Sequence, residues 1–105
     1  MNWNERVIAI VGGDRREQEI ARCAAATGAA VRAHGFPWPQ EGIAGVTPTA
    51  GAAEALAGAD IALFPIPGIA ADGALFAPQS PERIVPDRDS LAAMRQPAHI
   101  ILGWA

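Results

Sequence analysis

The chain has 105 residues and a mass of 10.9 kDa, a size that predicts a single domain. Half of its residues are hydrophobic and 18% are charged, which excludes an intrinsically disordered chain, and a net charge of −3 without a basic run argues against binding to nucleic acid. No apolar run approaches the roughly 20 residues that span a bilayer, and no signal peptide is evident. The single cysteine cannot form an internal disulfide. We therefore expect a soluble cytoplasmic protein with no membrane contact.

The first predicted elements are a strand and a helix. Residues 6–11 form a short β-branched run typical of a buried parallel strand, and Gly12 and Gly13 follow it. Asp14 is expected to be the N-cap of the helix, with Glu17 completing a capping box. The buried stripe of this helix is predicted to consist of Ile20, Cys23, Ala24 and Thr27.

The middle of the chain predicts two further strands and a helix. Gly28 is expected to end the first helix, and residues 29–34 to form the second strand. Residues 42–48 are ambiguous, with a short extended piece around Val46. Residues 49–58 predict an alanine-rich helix that Thr49 could cap. The expected inner face of this helix comprises Ala52, Ala53, Leu56 and Ala57.

The last part of the chain predicts two strands around a long loop and a helix. Residues 60–64 read as a strand, and the loop at 69–81 is expected to be held to the body by Leu75 and Phe76. Residues 84–85 predict at most a short edge strand. Asp87 or Asp89 is expected to cap a helix over residues 90–95, and residues 98–102 to form a last, buried strand.

This alternation of strands and helices predicts a three-layer α/β fold around an open parallel sheet. We expect a flavodoxin/Rossmann-like sheet of four or five strands, with a preference for the flavodoxin-like order. Ligands of such sheets bind outside the carboxyl ends of the strands. This rule brings together residues 12–16, 34–38, 65–73 and 103–104.

The turn after the first strand is the most informative of these segments. The spacing G-x-G-x-x-G is absent, and the carboxylate of Asp14 stands where a pyrophosphate would bind, so this turn is a poor dinucleotide site. A tight strand-to-helix turn capped by an aspartate explains the same residues without a ligand. One of Arg15 and Arg16 should face the crevice as a receptor for a carboxylate, unless both are solvated surface residues.

The remaining candidate residues support less specific interpretations. His34 ends a strand and could donate to a carboxylate, although a packed structural histidine fits the pattern better. His99 is assigned a structural role and Cys23 a place in the core. Trp38 and Trp104 fit either an aromatic wall or packing under loops. Metal-ligand and nucleophile motifs are absent, so these patterns predict a crevice but no reaction, catalytic residue or metal.

Several segments in order along the chain nevertheless resemble one family. The run VIAIVGGDRREQEIAR at residues 7–22 resembles the opening of the A subunit of dipicolinate synthase, whose Gly-Gly-Asp-x-Arg turn falls on Gly12, Gly13, Asp14 and Arg16. Similarity continues through Gly35-Phe36, Ala44-Gly45, ADIALFPIP at 59–67 and PAHIILGWA at 97–105. Pro67 and the final Leu-Gly-Trp-Ala replace positions where the family tends to have serine.

The resemblance implies the N-terminal, substrate-side domain of a two-domain oxidoreductase that forms pyridine-2,6-dicarboxylate during sporulation. The NAD or NADP would bind in a second, Rossmann domain that this chain lacks, so the chain alone is expected to be inactive. Implied partners are a dicarboxylate substrate, the B subunit of dipicolinate synthase and a second copy in a homodimer. The residues expected to contact substrate are Gly12, Gly13, Asp14, Arg15, Arg16, His34, Pro65 and Gly103.

A different class of function is compatible with the same sequence. The chain could be a non-catalytic interaction module that dimerises through Leu75 and Phe76 or through the sheet end at residues 100–104. A free-standing binder of small ligands is a third and weaker alternative.

Overall fold

The computed structural model describes residues 3–64, 74–75, 77–78, 80, 83–86, 88–95 and 98–102. The strands are β1 (Val7–Val11), β2 (Ala30–His34), β3 (Val46–Pro48), β4 (Ile61–Phe64) and β5 (His99–Leu102). The helices are α1 (Arg16–Ala26), α2 (Ala52–Leu56) and α3 (Arg88–Ala92), and a 3₁₀ turn at Trp3–Glu5 precedes β1. Along the described residues no helix has the length and apolar character needed to cross a bilayer.

The five strands form one parallel sheet in the order β3-β2-β1-β4-β5. The predicted open parallel α/β sheet is therefore confirmed, but the preference for the flavodoxin-like order is wrong, because β3 pairs with β2 at the edge and β4 lies next to β1. The burial of the strands agrees with this order. Only Val46 is buried in the three residues of β3, whereas three of the four residues of β4 are buried and suit the centre.

The two faces of the sheet carry separate hydrophobic clusters. Ile8 and Ile10 of β1 pack with the α1 residues Ala21 and Ala24 on one face. The alternate residues of β1 face α2 and α3 on the other, where Leu56 is fully buried. Helices therefore cover both faces of the sheet, which gives the three layers that the sequence predicts.

Helix α1 is rotated relative to the prediction. Its buried residues are Glu17, Ala21 and Ala24. The other members of the predicted stripe, Ile20, Cys23 and Thr27, are exposed, so the prediction of a core role for Cys23 is wrong. The small Ala21 and Ala24 allow the helix backbone to approach the sheet closely, and the hydrogen-bonded Glu17 sets the rotation of the first turn. The predicted end is correct, since Thr27 is the C-cap and Gly28 follows with φ +94°.

The two short helices also differ in detail from the predictions. Helix α2 begins after Gly51, and Thr49 Oγ1 donates to the Gly51 carbonyl instead of capping the helix. Its buried residues are Ala55 and Leu56, while the predicted inner residues Ala53 and Ala57 are exposed. Helix α3 starts two residues earlier than predicted, so Asp89 lies in its first turn; Asp87 lies outside the described residues.

Strand β5 is less buried than its apolar sequence predicts. Ile100 is 47% exposed and Ile101 is 51% exposed, because β5 is the edge strand beside β4. Leu75, by contrast, is buried as expected, and its N–H donates to the Ile84 carbonyl at 2.7 Å. Phe76 and Trp104 lie outside the described residues.

Candidate functional site

The sheet order defines where a crevice can form. Strands β1 and β4 are neighbours, and the connections that follow them lead to opposite faces of the sheet. In open α/β sheets ligands bind at such a switch point, outside the carboxyl ends of the strands. Gly12 to Arg15 occupy this position after β1. The corresponding segment after β4 includes Pro65, which lies outside the described residues, as does Gly103 after β5.

Gly13 and Glu17 fit together tightly at the front of α1. Gly13 has φ +104°, a conformation that favours glycine, and a Cβ added to it would overlap the carboxyl group of Glu17. Glu17 is only 4% exposed, although it is a carboxylic acid on the first turn of a helix. The glycine is therefore required both for the turn and for the space that the Glu17 side chain fills.

Two reciprocal hydrogen bonds hold this turn. The backbone N–H of Asp14 donates to Glu17 Oε2 at 2.7 Å, and Asp14 Oδ1 accepts from the Arg16 N–H at 2.9 Å. The bond from Asp14 N–H to Glu17 is the one that the predicted capping box requires, whereas the Asp14 side chain accepts from the N–H of Arg16 and not from that of Glu17. Helix α1 is preceded by Arg15, which already has helical backbone angles and makes no capping bond with its side chain, so the side-chain cap is supplied by Asp14 as predicted.

The carboxyl groups of Asp14 and Glu17 have opposite electrostatic surroundings. Hydrogen bonds from the side chain and backbone of Arg16 lower the pKa of Asp14 below its ordinary value, and Asp14 in turn raises the pKa of Arg16. Burial raises the pKa of Glu17, and the neighbouring charge of Asp14 adds to this effect. The turn therefore holds one firmly ionised carboxylate beside one carboxyl group that retains its proton more readily.

The two predicted arginines differ in their surroundings. Arg16 Nε lies 3.0 Å from Asp14 Oδ1, and the Arg16 side chain is 57% exposed. The Arg15 side chain is exposed as well. A carboxylate ligand at this turn would share the Arg16 guanidinium with Asp14. The Asp14 carboxylate already accepts from the Arg16 amide, a donor that a phosphate at the start of a helix would otherwise use.

His34 ends β2 on the α2 side of the sheet. Its Nδ1 lies 3.1 Å from the Thr49 carbonyl oxygen, which can only accept, so Nδ1 carries the hydrogen and Nε2 is the remaining ring nitrogen. His34 also lines a cavity of about 250 Å³. Other lining residues include Ala52, Arg83, Ile84 and Ser90. His34 thus has a structural partner and access to a cavity at the same time.

Gly35 connects this cavity to the front of α1. A Cβ on Gly35, which has φ +96°, would lie 3.2 Å from the Gly12 nitrogen and would overlap Ile84 Cδ1. The Gly12 N–H donates to the His34 carbonyl at 2.7 Å. The turns after β1 and β2 therefore pack backbone against backbone at the carboxyl edge of the sheet.

Packing explains the tryptophan near this edge. Trp38 stacks on Phe36 with ring centroids 5.4 Å apart and is half-buried against the core. The adjoining loop is tied to α1, since Gln18 Nε2 donates to the Pro37 carbonyl at 2.8 Å. Trp38 is accordingly part of the support beneath the turn after β2.

The opposite edge of the sheet contains a buried carboxylate that no sequence pattern singles out. Asp60 is 6% exposed, and its Oδ2 accepts from the Val7 N–H at 2.8 Å. Its Oδ1 lies 3.6 Å from a guanidinium nitrogen of both Arg6 and Arg95. This group joins the amino ends of β1 and β4 to the end of α3, far from the strand ends where ligands bind. Among the residues that the structure describes, no group of three or more His, Cys, Asp or Glu residues could hold a metal ion.

Comparison with known proteins agrees with the resemblance seen in the sequence. Residues 7–105 match the family model described as the N-terminal domain of the dipicolinate synthase A subunit. The chain belongs to this family. No curated protein sequence matches the chain significantly.

Two solved structures are similar to the whole domain. The A subunit of dipicolinate synthase from Bacillus halodurans has a TM-score of 0.79 and 25% sequence identity over 100% of this chain. The dipicolinate synthase A chain from Bacillus subtilis has the same TM-score and identity over 95% of it. The chain covers only 35% and 34% of these two proteins, about a third of their length. The structure of this domain therefore corresponds to one part of a larger enzyme chain.

Proposed function

We propose that this domain forms the substrate-side wall of an interdomain cleft in an NAD(P)-dependent oxidoreductase that resembles the dipicolinate synthase A subunit. The observation that carries the proposal is the family match over residues 7–105, combined with the Gly-Gly-Asp-x-Arg turn at the switch point of the sheet. The reaction would be the formation of pyridine-2,6-dicarboxylate during sporulation. The proposal includes a cytoplasmic location, a partnership with the B subunit of dipicolinate synthase and a homodimer.

In this proposal the turn after β1 binds one carboxylate of the substrate. Gly12 and Gly13 shape the wall, since both have the positive φ that the tight turn after β1 requires. The Arg16 guanidinium anchors the carboxylate, and Asp14 positions that guanidinium through its bond to Nε. The cofactor binds in a second domain, because the Asp14 carboxylate at the front of α1 accepts from the Arg16 amide and would repel a phosphate there. Bound there, the nicotinamide supplies hydride transfer.

Ligand binding to the chain alone tests this assignment. In a titration with pyridine-2,6-dicarboxylate followed by NMR, we expect saturable shifts at the backbone amides of Gly12 and Gly13. Arg16→Ala should weaken binding about tenfold, as expected for loss of a charge-assisted hydrogen bond. Arg22→Ala is the matched control, because Arg22 is also exposed on α1 but pairs with Glu19.

Two results would contradict the proposal. The first is equal weakening of binding by Arg16→Ala and Arg22→Ala, which would mean that Arg16 contributes only to the overall positive charge of the helix and does not contact the ligand. The second is micromolar binding of NADPH to this chain in calorimetry, which would contradict the assignment of the cofactor to another domain.

A second candidate function is supported by the exposed edge strand. Ile100 and Ile101 expose apolar side chains on both faces of β5, and an uncovered edge strand is a site for pairing with another chain. We propose as the alternative a non-catalytic module that dimerises through β5. Ile101→Lys should convert a dimer to a monomer in light scattering if this is correct, whereas a wild-type monomer at about 0.1 mM excludes it.

A further inference from the structure

A buried carboxylic acid lies against the turn after β1. Glu17 is on the first turn of α1, yet it is only 4% exposed. Its carboxyl group is so close to Gly13 that a Cβ added to this glycine would lie 2.5 Å from Glu17 Oε2. Glutamate side chains are mostly exposed, and in solvent their charge costs little. Burial makes the protonation of Glu17 sensitive to any further charge that comes close.

The surroundings stabilise the charge of Asp14 more than the charge of Glu17. Asp14 Oδ1 accepts from the Arg16 backbone N–H and from Arg16 Nε at 3.0 Å, whereas Glu17 Oε2 accepts from a neutral donor, the Asp14 N–H. The described residues of β1, β2 and β4 on this face of the sheet are apolar, namely Ile8, Ile10, Val31, Ala33, Ile61 and Leu63. In the described part of the chain the charged groups beside Glu17 are therefore Asp14 and Arg16.

A carboxylate ligand would add a negative charge at this place. In the proposed function it binds at the turn of Gly12 and Gly13, and the Glu17 carboxyl group lies against Gly13. Like charges in a poorly solvated site disfavour the ionised form of the weaker acid. That acid is Glu17, since burial raises its pKa while Arg16 lowers the pKa of Asp14. A protonated Glu17 keeps a carbonyl oxygen that can accept from the Asp14 N–H, so the turn changes its charge without losing this bond.

We infer that Glu17 takes up a proton from solvent when a carboxylate ligand binds at the turn after β1. The inference rests on the proposed function and deepens it, because it makes Glu17 the residue that sets the pH range in which this turn accepts an anion. Above the pKa of Glu17 in the free domain, affinity for the ligand falls as the pH rises, since each binding event must then supply a proton. Neither the capping-box pattern nor the resemblance assigns this role to Glu17.

Calorimetric titration of the chain with pyridine-2,6-dicarboxylate between about pH 5 and 8 tests the inference. The dissociation constant of the wild type should rise with pH by up to about tenfold per pH unit, the limit for one proton. Glu17→Gln has no charge to lose, so it should lack this dependence and bind at least as tightly as the wild type at about pH 8. A purely structural role of Glu17 predicts weaker binding instead. Ionisation of the ligand contributes equally to both proteins.

Glu54→Gln is the matched control. Glu54 also lies in the first turn of a helix, and its carboxylate accepts from the Ala50 N–H at 2.8 Å, but it is exposed on α2. This variant should keep the pH dependence of the wild type. A second measurement needs no substitution: in NMR, the titration of the Glu17 carboxyl carbon resonance should move to higher pH when the ligand saturates the wild type.

The outcomes separate the inference from the proposed function. Identical pH dependence of affinity in the wild type and Glu17→Gln, or a Glu17 titration that the ligand does not move, would overturn the inference and leave the proposed function intact. Equal loss of the pH dependence in Glu17→Gln and Glu54→Gln would also overturn it, because the effect would then come from overall charge. If the Gly12 and Gly13 amides show no saturable shifts at any pH, the proposed function fails and the inference fails with it.

Discussion

Replacing Gly13 with alanine probes the fit between the turn and Glu17. The substitution places a non-glycine residue at φ +104°, which costs about 1–3 kcal/mol of folding free energy. The new Cβ also displaces the Glu17 carboxyl group, which then loses its hydrogen bond from Asp14. A hydrogen bond to a charged group contributes about 1.5–3 kcal/mol. We therefore expect Gly13→Ala to destabilise the domain by about 3–5 kcal/mol.

Gly42→Ala provides the matched comparison. Gly42 also has a positive φ, +78°, but nothing lies within 4 Å of an added Cβ, so this variant reports the backbone cost alone. Urea unfolding followed by circular dichroism measures both variants, with the m-value as a check that the unfolded states are comparable. We expect Gly13→Ala to be less stable than Gly42→Ala by about 1.5–3 kcal/mol, the contribution of the lost hydrogen bond. In the double variant Gly13→Ala, Glu17→Ala the added Cβ has no Glu17 carboxyl group to overlap. Any destabilisation caused by that overlap should therefore disappear. Equal stabilities of the two single variants would refute a Glu17 carboxyl group packed against Gly13.

Three further substitutions test the core, the rotation of α1 and the buried acid. Glu17→Gln should gain stability over the wild type as the pH rises from about 4.3, the ordinary pKa of Glu. Burial raises the pKa of Glu17 in the folded state, so the wild type loses stability as the pH rises through this range until the raised pKa is passed. Urea unfolding between about pH 4 and 8 measures the difference in stability between the two proteins. A difference that does not change with pH would contradict the raised pKa of Glu17. Leu56→Ala should lower the free energy of unfolding by about 2–5 kcal/mol, because Leu56 is fully buried. A loss below about 1 kcal/mol in urea unfolding would contradict the packing of Leu56 of α2 in the core. Cys23 should react with a thiol reagent without denaturant, and Cys23→Ser should change stability by less than about 0.5 kcal/mol. Reaction only after unfolding would instead support the buried position of Cys23 that the sequence predicts.

The sheet was predictable because its strands are strongly patterned. The β-branched run ending at Val11, followed by two glycines, identifies a central parallel strand without reference to the rest of the chain. The C-terminal glycine of α1 was equally clear, since Gly28 follows that helix with the positive φ that favours glycine. The order of the strands was not predictable in the same way, because it depends on whether β3 or β4 lies beside β1, which no local signal decides.

The rotation of α1 was missed for a physical reason. A count of apolar residues places Ile20 and Cys23 inward beside Ala24, but alanine permits close approach, so Ala21 faces the sheet together with Ala24. Glu17 was expected to cap the helix, and its burial follows only from the space above Gly13.

The candidate site was predictable only where it is contiguous in the chain. Gly12 to Arg16 form one turn, so their proximity follows from the sequence. Arg83 lies 49 positions after His34, and no local signal links the two. Their meeting depends on packing of the segment around Ile84 against the α2 face, which is a tertiary effect.

The contact between Gly12 and Gly35 couples the evolution of the two turns. Since the added methyl group of an alanine at position 35 would press on the backbone of Gly12 and on Ile84, it would move the Arg16 turn and the His34 cavity together. Substitutions in one turn are therefore expected to affect the other, and libraries that randomise residues 12–16 should vary residues 34–36 in the same clones.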